Sequence, residues 1–274
     1  MNEAYSKDKV IASPGSIKAA LFDFDGTIST FRQGWERVMK PLMIELIDPH
    51  QHLPDLSEQV DYYINQSTGI QTIHQMIWLK EQVDLYNPGR QDKDAWWYKE
   101  QYKQRLLLEV EGRVQAVKTG QEPRERYLIA GSLDFLEALK AAGILMYLAS
   151  GTDHDDVVRE ASALDVAHYF TLIKGAPRRQ VDCSKEAVIR SLLKEEGLQA
   201  SSLLVVGDGK VEIALGAAYG AYTLGLASDE AQGQGINHDK VERLKTAGAH
   251  LIYGDFLQKD AILTALCIKG QGHE

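Results

Sequence analysis

The chain has 274 residues, of which 44% are hydrophobic and 25% are charged, so it is long enough to bury one large core or two smaller ones. Its 30 Lys and Arg stand against 39 Asp and Glu, a formal charge of -9. This acidic balance argues against nucleic acid as a partner, because nucleic-acid binding relies on basic patches. No stretch approaches the roughly 20 apolar residues that a bilayer-spanning helix needs. We therefore expect a soluble protein with no membrane partner.

The N-terminal residues 1–16 mix acidic and basic side chains without an apolar segment, which predicts a frayed tail and not a signal peptide. The two cysteines, Cys183 and Cys267, lie far apart and match neither a metal-ligand spacing nor a disulfide framework. Both features favour a cytoplasmic protein.

Short apolar runs predict strands at residues 17–24, 144–149, 169–173, 203–207, 221–225 and 250–253. Apolar residues at three-to-four spacing predict helices between them at 133–142, 155–164, 185–196 and 211–219. This alternating order is typical of an α/β protein with a Rossmann-like parallel sheet.

Residues 29–126 differ from the rest, since they combine long amphipathic patterns and the Trp residues with no convincing strand. Helices are predicted there at 35–47, 56–66, 72–85 and 93–118. The chain is therefore expected to have an N-terminal tail at 1–16, an α/β core formed by 17–28 and 127–274, and an inserted all-helical cap domain at 29–126.

Polar motifs follow three of the predicted strands: DFDGT at residues 23–27, SGT at 150–152 and GDGKVE at 207–212. Lys185 is the first residue of the predicted helix 185–196, which is followed by the strand at 203–207 and then by the GDGKVE motif. Because the carboxyl ends of parallel strands converge on one crevice, these residues are predicted to share a ligand-binding site.

These motifs, in this order, resemble those of the haloacid dehalogenase superfamily. The resemblance covers residue 17 to about residue 256, and the helical insert stands in the position of that superfamily's cap. Among its members, the chain looks most like the branch that contains phosphoglycolate phosphatase and β-phosphoglucomutase. The resemblance implies magnesium-dependent phosphoryl transfer.

The resemblance implies that Asp23 is the nucleophile, which forms an aspartyl-phosphate, and that Asp25 is first a general acid and then a general base. Mg²⁺ would be held by the carboxylates of Asp23 and Asp208 and by the main-chain carbonyl of Asp25. Glu212 stands where the superfamily often has Asp. It would either reach the water shell of the metal or hold Lys185.

The phosphate group would be bound by the residues around these carboxylates. Ser150 and Lys185 would each contact a phosphate oxygen, with Gly151 beside them. Gly26 would let the backbone turn tightly next to the phosphate, and Thr27 would form a hydrogen bond near it.

Two segments outside the motifs are candidates for substrate recognition. Residues 69–72 interrupt a helical pattern, and they form either a loop that presents Gly69, Gln71 and Thr72 to the substrate or a plain helix–helix connection. His154 lies in an acidic run that is typical of a helix start, where carboxylates interact favourably with the helix dipole. It either contacts substrate or belongs only to that first turn.

Within the superfamily that the chain resembles, dehalogenases need no second carboxylate, because a halide leaves without a proton. The presence of Asp25 therefore argues for transfer from a phosphate ester. We expect a phosphatase that acts on a small phosphorylated metabolite such as a sugar phosphate, since a helical cap leaves little space for a polymer. The alternatives are a phosphomutase of the β-phosphoglucomutase type and a non-catalytic binding protein that retains the fold. No pattern in the sequence fixes the oligomeric state.

Overall fold

The computed structural model describes residues 5–6, 12–13, 16–87, 89, 92–181 and 184–268; Cys183 and most of the predicted tail lie outside them. Within these residues one sheet has seven strands: Tyr5–Ser6 (β1), Ala19–Phe22 (β2), Leu145–Asp153 (β3), Leu172–Ala176 (β4), Leu203–Gly207 (β5), Tyr222–Leu226 (β6) and Leu251–Tyr253 (β7). The strand order is β1-β7-β6-β5-β2-β3-β4. All neighbours are parallel except β1, which is antiparallel to β7.

Four helices lie between β2 and β3 in the chain, and we call them the cap helices: Glu36–Ile47 (α1), Leu56–Gln66 (α2), Thr72–Tyr86 (α3) and Ala95–Lys118 (α4). The helices of the α/β core are Ser132–Ala141 (α5), His154–Ala163 (α6), Ser184–Lys194 (α7), Lys210–Tyr219 (α8), His238–Ala247 (α9) and Lys259–Ala265 (α10). The predicted α/β class, with a largely parallel sheet and inserted helices, is confirmed. The domain boundaries stay a prediction.

The central strand β2 is buried on both faces of the sheet. Its alternate residues Ala20 and Phe22 belong to the core that includes α5 and α6, whereas Ala19 and Leu21 face the core that includes α7. Strand side chains alternate between the two faces, so a strand covered by helices on both sides is apolar throughout. This accounts for the unbroken apolar run before the DFDGT motif.

The cap helices pack through bulky side chains on their shared faces. Tyr98 of α4 is fully buried, and the Trp78 ring of α3 stacks on Tyr63 of α2 with ring centroids 3.8 Å apart. The helix α4 starts at Asp94, whose carboxylate accepts the Trp97 N–H at 2.8 Å and satisfies one of the unpaired donors of the first turn. These aromatic side chains therefore pack in and against the interior of the insert.

Four features differ from the prediction. The second strand was predicted at 144–149, with the SGT motif after it, but β3 runs to Asp153 and contains that motif. The third strand was predicted at 169–173, but Ala167–Tyr169 form a 3-10 turn and β4 continues to Ala176, because that residue pairs with Asp153 of β3. Tyr5–Ser6, in the predicted tail, form β1. The helices α9 and α10 were not predicted. In the described part of the chain, the helices are too short or too polar to cross a membrane.

Replacing Phe135 with Ala should lower the free energy of unfolding by about 3–5 kcal/mol, the usual cost of emptying a buried aromatic site. Phe135 of α5 is fully buried and contacts the rings of Phe22 and Phe256, at centroid distances of 6.3 Å and 4.8 Å. Urea titration followed by circular dichroism measures the change. Leu108→Ala is the control, since Leu108 is 81% exposed; equal stability of the two variants would contradict this packing.

Candidate active site

The register of the sheet brings the predicted motifs together at one edge. Phe22, the last residue of β2, pairs with Leu148 of β3 on one side and with Val206 of β5 on the other. The residues after these three positions are therefore neighbours, and the Asp23 N–H donates to the Val206 carbonyl at 2.9 Å. The carboxyl edge of an open parallel sheet is the usual ligand-binding crevice. The DFDGT motif lies at its centre.

Lys185 is the ionic partner of the Asp23 carboxylate. Its Nζ lies 3.1 Å from Asp23 Oδ2 and 2.7 Å from Glu212 Oε2, and all three residues are buried. Burial raises the pKa of Asp23, and the Lys185 charge opposes that rise. Desolvation acts against the charged form of Lys185, but the two carboxylates raise its pKa above the usual value. Lys185 therefore stays an ammonium beside Asp23.

Glu212 uses both carboxylate oxygens within the protein. Oε2 accepts from Lys185, and Oε1 accepts the Gly209 N–H at 2.5 Å at the first turn of α8. The neighbouring glycines make room for it, since a Cβ on Gly207 would lie 2.2 Å from Glu212 Cγ and a Cβ on Gly209 would lie 2.9 Å from Oε1. Of the two roles predicted for Glu212, the geometry matches the second, in which it holds Lys185.

Asp25 lies in a different environment. Its Oδ2 accepts from Thr152 Oγ1 at 2.9 Å and from Ser150 Oγ at 3.3 Å, while Arg32 Nε lies 3.8 Å from Oδ1. Burial raises the pKa of Asp25, and the Arg32 charge and the two hydroxyl groups reduce that rise without cancelling it. A raised pKa favours the protonated form that a general acid needs. Sequence reasoning included Thr152 in the SGT motif without a role of its own, and it did not identify Arg32.

Three carboxylates form a group that could hold a metal ion. Asp23, Asp208 and Glu212 each offer an oxygen, and these oxygens lie within 4.8 Å of one another. Mg²⁺ prefers hard oxygen ligands of this kind. Asp23 and Asp208 line the cavity beside the sheet edge and Glu212 does not, so the first two are the members placed to hold an ion. The donor set therefore fits Mg²⁺.

Gly26 brings the DFDGT loop close to this group. Its φ is 74°, a conformation that favours glycine, and a Cβ there would lie only 2.4 Å from Asp208 Oδ2. Its carbonyl accepts from Ser228 Oγ at 2.6 Å. Any side chain at position 26 would push the loop away from Asp208.

Lys240, which sequence reasoning did not single out, binds the Asp208 carboxylate of this candidate metal group. Its Nζ lies 2.7 Å from Asp208 Oδ2 and 2.7 Å from Glu230 Oε1, and Lys240 is 6% exposed. Desolvation acts against the charge on Lys240, but the two carboxylates raise its pKa above the usual value. The site therefore contains a second buried ammonium in addition to Lys185.

A cavity of about 420 Å³ opens beside these side chains, and both the core and the cap line it. From the loop between α2 and α3, Gly69, Ile70 and Thr72 line its wall. The loop touches the core, since a Cβ on Gly69 would lie 3.6 Å from Gly209 Cα. Lys210 Nζ donates to the carbonyl of Gln66 at the end of α2. The loop 69–72 therefore lies over the carboxyl edge of the sheet, beside the cavity.

The other predicted residues divide into two sets. Gly26, Ser150, Gly151 and Lys185 line the cavity together with Asp23, Asp25 and Asp208. Thr27, Gln71 and His154 are not among the described residues that line the cavity.

Each of these three residues lies off the cavity for a local reason. Thr27 is buried, and its hydroxyl donates to Asp208 Oδ1 at 3.5 Å. Gln71 is buried at the N-terminus of α3. His154 opens α6, and its Nδ1 accepts the Gly175 N–H of β4 at 3.4 Å. Substrate contact by Gln71 or His154 and phosphate contact by Thr27 are therefore not supported.

The acidic run that contains His154 connects the core to the cap. The Asp153 carboxylate lies 2.5 Å from Lys99 Nζ and 2.9 Å from Lys103 Nζ, and Lys103 also lies 2.8 Å from Asp156. Both lysines belong to α4, whereas the carboxylates belong to the end of β3 and the first turn of α6. These ion pairs fix α4 next to the crevice.

The sequence profile of the haloacid dehalogenase-like hydrolases matches residues 17–220. None of the curated proteins compared with the chain matches it significantly.

Several solved structures have a similar fold. A predicted phosphatase from Clostridium acetobutylicum aligns with a TM-score of 0.61 and 18% identity, over 93% of this chain and 100% of that one. A predicted phosphoglycolate phosphatase from Haemophilus somnus aligns with a TM-score of 0.60 and 17% identity, over 91% of this chain and 99% of that one. A beta-phosphoglucomutase from Clostridium difficile aligns with a TM-score of 0.63 and 13% identity, over 91% of this chain and 96% of that one. These structures share the fold of this chain, and the superfamily that the motifs resembled is confirmed by the sequence profile.

Proposed function

Because this chain belongs to the haloacid dehalogenase-like hydrolase family, we propose that it is a phosphatase that hydrolyses a small phosphorylated metabolite through an aspartyl-phosphate. The observation that carries the proposal is the contrast between its two central carboxylates. Asp23 lies beside the Lys185 ammonium, whereas Asp25 accepts from two hydroxyl groups and lies 3.8 Å from Arg32; burial raises the pKa of both carboxylates. Two carboxylates in unlike environments are suited to the separate roles of nucleophile and acid.

In the first step, Asp23 attacks phosphorus and the bond to the leaving oxygen breaks, while Asp25 gives that oxygen a proton. In the second step, Asp25 takes a proton from water, which attacks the aspartyl-phosphate and releases inorganic phosphate. Lys185 keeps positive charge beside the reacting oxygens, and Glu212 holds Lys185 there. Thr152 and Ser150 orient the Asp25 carboxylate.

Mg²⁺ belongs to this proposal as the cofactor. The carboxylates of Asp23 and Asp208 and the main-chain carbonyl of Asp25 would hold it. When bound, it would supply positive charge that favours the ionised form of Asp23 and offsets the charge of the phosphate. The raised pKa of Asp23 in the protein alone is consistent with a site that needs this charge.

The substrate is proposed to be a small molecule because both walls of the site contribute to a cavity of about 420 Å³. The cap contributes Gly69 and Thr72 to that cavity, and we propose that its loop contacts the part of the substrate beyond the phosphate. The cytoplasm, where phosphorylated metabolites are found, is the proposed location. We also propose the domain limits given above, with the cap at 29–126.

Removal of divalent metal should lower the hydrolysis of p-nitrophenyl phosphate at least about tenfold, because metal ligation supplies several kcal/mol of charge stabilisation in such reactions. Phosphate release is measured in EDTA, and then after addition of excess Mg²⁺, which should restore it. A thermal melt in EDTA shows whether the fold persists. Full activity of the folded protein in EDTA would exclude a magnesium-dependent mechanism.

The natural substrate is sought with a panel of phosphorylated sugars, sugar acids and related metabolites, with release of inorganic phosphate as the readout. The phosphomutase alternative is tested with β-glucose 1-phosphate and its bisphosphate. Release of phosphate without isomerisation supports hydrolysis. Formation of the 6-phosphate isomer faster than release of phosphate would overturn the phosphatase assignment.

A further inference from the structure

The C-terminal part of the core reaches the site through one buried side chain. Lys240 lies in the first turn of α9, which begins after Asn237; the Asn237 side chain accepts the N–H groups of Asp239 and Lys240 at 3.0 Å and 3.2 Å. This cap fixes the start of the helix. It therefore fixes the point from which the Lys240 side chain extends toward the crevice. The helix lies beyond residues 17–220, the part matched by the family profile.

The Lys240 ammonium joins three loops. It lies 2.7 Å from Asp208 Oδ2 in the loop after β5, and 2.7 Å from Glu230 Oε1 and 3.3 Å from Ser228 Oγ in the loop after β6. Ser228 in turn donates to the Gly26 carbonyl of the DFDGT loop at 2.6 Å. Lys240 thus contacts the loops after β5 and β6 directly and the DFDGT loop through Ser228.

The position of Asp208 is constrained from two directions. The absence of a side chain on Gly26 lets Asp208 Oδ2 lie where a Cβ would be only 2.4 Å away. Lys240 binds that same Oδ2, while Thr27 Oγ1 approaches Oδ1 at 3.5 Å. Oδ2 therefore has a charged partner and Oδ1 has a hydroxyl group near it, which together limit the rotation of the Asp208 side chain.

We infer that Lys240 is a positioning residue, which holds the Asp208 carboxylate in the orientation needed to bind Mg²⁺ with Asp23. This inference rests on the proposed function, which makes Asp208 a metal ligand. Groups that hydrogen-bond to metal ligands orient them, and their loss typically weakens metal binding about 10- to 100-fold. A second reading is that Lys240 only neutralises Glu230, and the two readings predict different results.

The first experiment compares Lys240→Met with wild type by isothermal titration of Mg²⁺ into the full chain. The dissociation constant should rise at least about tenfold, and the Mg²⁺ concentration that gives half-maximal hydrolysis of p-nitrophenyl phosphate should rise in parallel. At saturating Mg²⁺, KM for this substrate should stay within about threefold of wild type, because Lys240 acts through the metal site. Unchanged or tighter Mg²⁺ binding would overturn the inference.

Lys245→Met is the matched control on the same helix. Lys245 pairs with Glu242 at 2.8 Å, and its side chain is 35% exposed. Since this lysine has no part in the site, its variant should bind Mg²⁺ as wild type does. An equal loss of Mg²⁺ affinity in both variants would assign the effect to α9 as a whole and overturn the role of Lys240.

The double variant Lys240→Met/Glu230→Gln separates positioning from charge balance. It removes the carboxylate that Lys240 would otherwise leave uncompensated, so it also guards against misfolding of the single variant. If Lys240 positions Asp208, Mg²⁺ binding stays at least about tenfold weaker than in wild type. Recovery of wild-type affinity in the double variant would show that Lys240 only neutralises Glu230.

Calorimetry keeps this test distinct from the test of the proposed function. Loss of Mg²⁺ affinity in both Lys240 variants supports positioning of the metal ligand, whether or not the wild-type protein hydrolyses phosphate esters. Failure of wild type to release phosphate from any ester, with Mg²⁺ binding intact, would refute the phosphatase alone. Failure of wild type to bind Mg²⁺ would overturn the role of Lys240.

Discussion

Replacement of Asp23 by Asn should lower kcat for p-nitrophenyl phosphate at least about 1,000-fold, because removal of a nucleophile eliminates the covalent route. Asn preserves the size of the side chain but cannot attack phosphorus as a carboxylate does. The substitution also removes one carboxylate from the ion pair with Lys185, whose Nζ lies 3.1 Å from Asp23 Oδ2. The rate is measured at saturating Mg²⁺, and intact mass after acid quenching tests for a phosphorylated protein in wild type only.

Asp134→Asn serves as the control for this change. Asp134 is an exposed carboxylate in the first turn of α5. It is not among the described residues that line the cavity, and it has no part in the proposed chemistry. Its variant should retain activity within about twofold, since surface substitutions away from special features have small effects. Comparable activity of Asp23→Asn and wild type would refute the assignment of the nucleophile.

Replacement of Asp25 by Asn should produce a burst of nitrophenol followed by turnover that is slower by about 10²- to 10⁴-fold, the usual contribution of general acid–base catalysis. Nitrophenolate leaves readily without a proton, so the first step proceeds. The aspartyl-phosphate then accumulates, because no base activates the water that hydrolyses it. The burst should approach one equivalent of enzyme. Stopped-flow absorbance measures both phases.

An alkyl phosphate such as glycerol 3-phosphate sharpens this prediction. Its leaving oxygen needs a proton, so the Asp25→Asn variant should lose the first step as well, and no aspartyl-phosphate should accumulate. Thr152→Val tests the orienting group, since the Thr152 hydroxyl donates to Asp25 at 2.9 Å, and we expect a smaller loss in the same direction. Equal slowing of both substrates without a burst would contradict the acid–base role of Asp25.

The elements that carry the site were predictable because their patterns are strong and local. The strand β2 reads as an unbroken apolar run, and the helix α2 was predicted with the bounds that it has, 56–66. The neighbourhood of Asp23, Ser150 and Asp208 follows from the rule that parallel strands end at one edge.

The residues that hold the site carboxylates in place were not predictable, since their contacts join segments that are distant in the chain. The helix α9 carries few apolar residues, Val241 and Leu244 among them, and Asn237 as its cap was the available signal. Nothing in the local pattern indicates that Lys240 reaches Asp208, 32 positions earlier in the chain. Similarly, Arg32 lies in a connection whose polar residues read as ordinary linker.

The strand β4 shows a second limit of local patterns. Tyr169 and Phe170 are apolar and were read as the start of a strand, yet Tyr169 ends a 3-10 turn. The strand continues instead through Gly175 and Ala176, small residues of low strand propensity. Pairing with β3 outweighs that propensity, since Ala176 is in register with Asp153.

The glycine before Asp208 has a consequence for how this protein can change over evolutionary time. A Cβ on Gly207 would lie 2.2 Å from Glu212 Cγ, so the two positions divide one small volume between them. A relative that gains a side chain at position 207 must shorten the acid at position 212, and a relative with Asp at 212 has room to spare at 207. The two positions should therefore covary by size while the negative charge opposite Lys185 is retained.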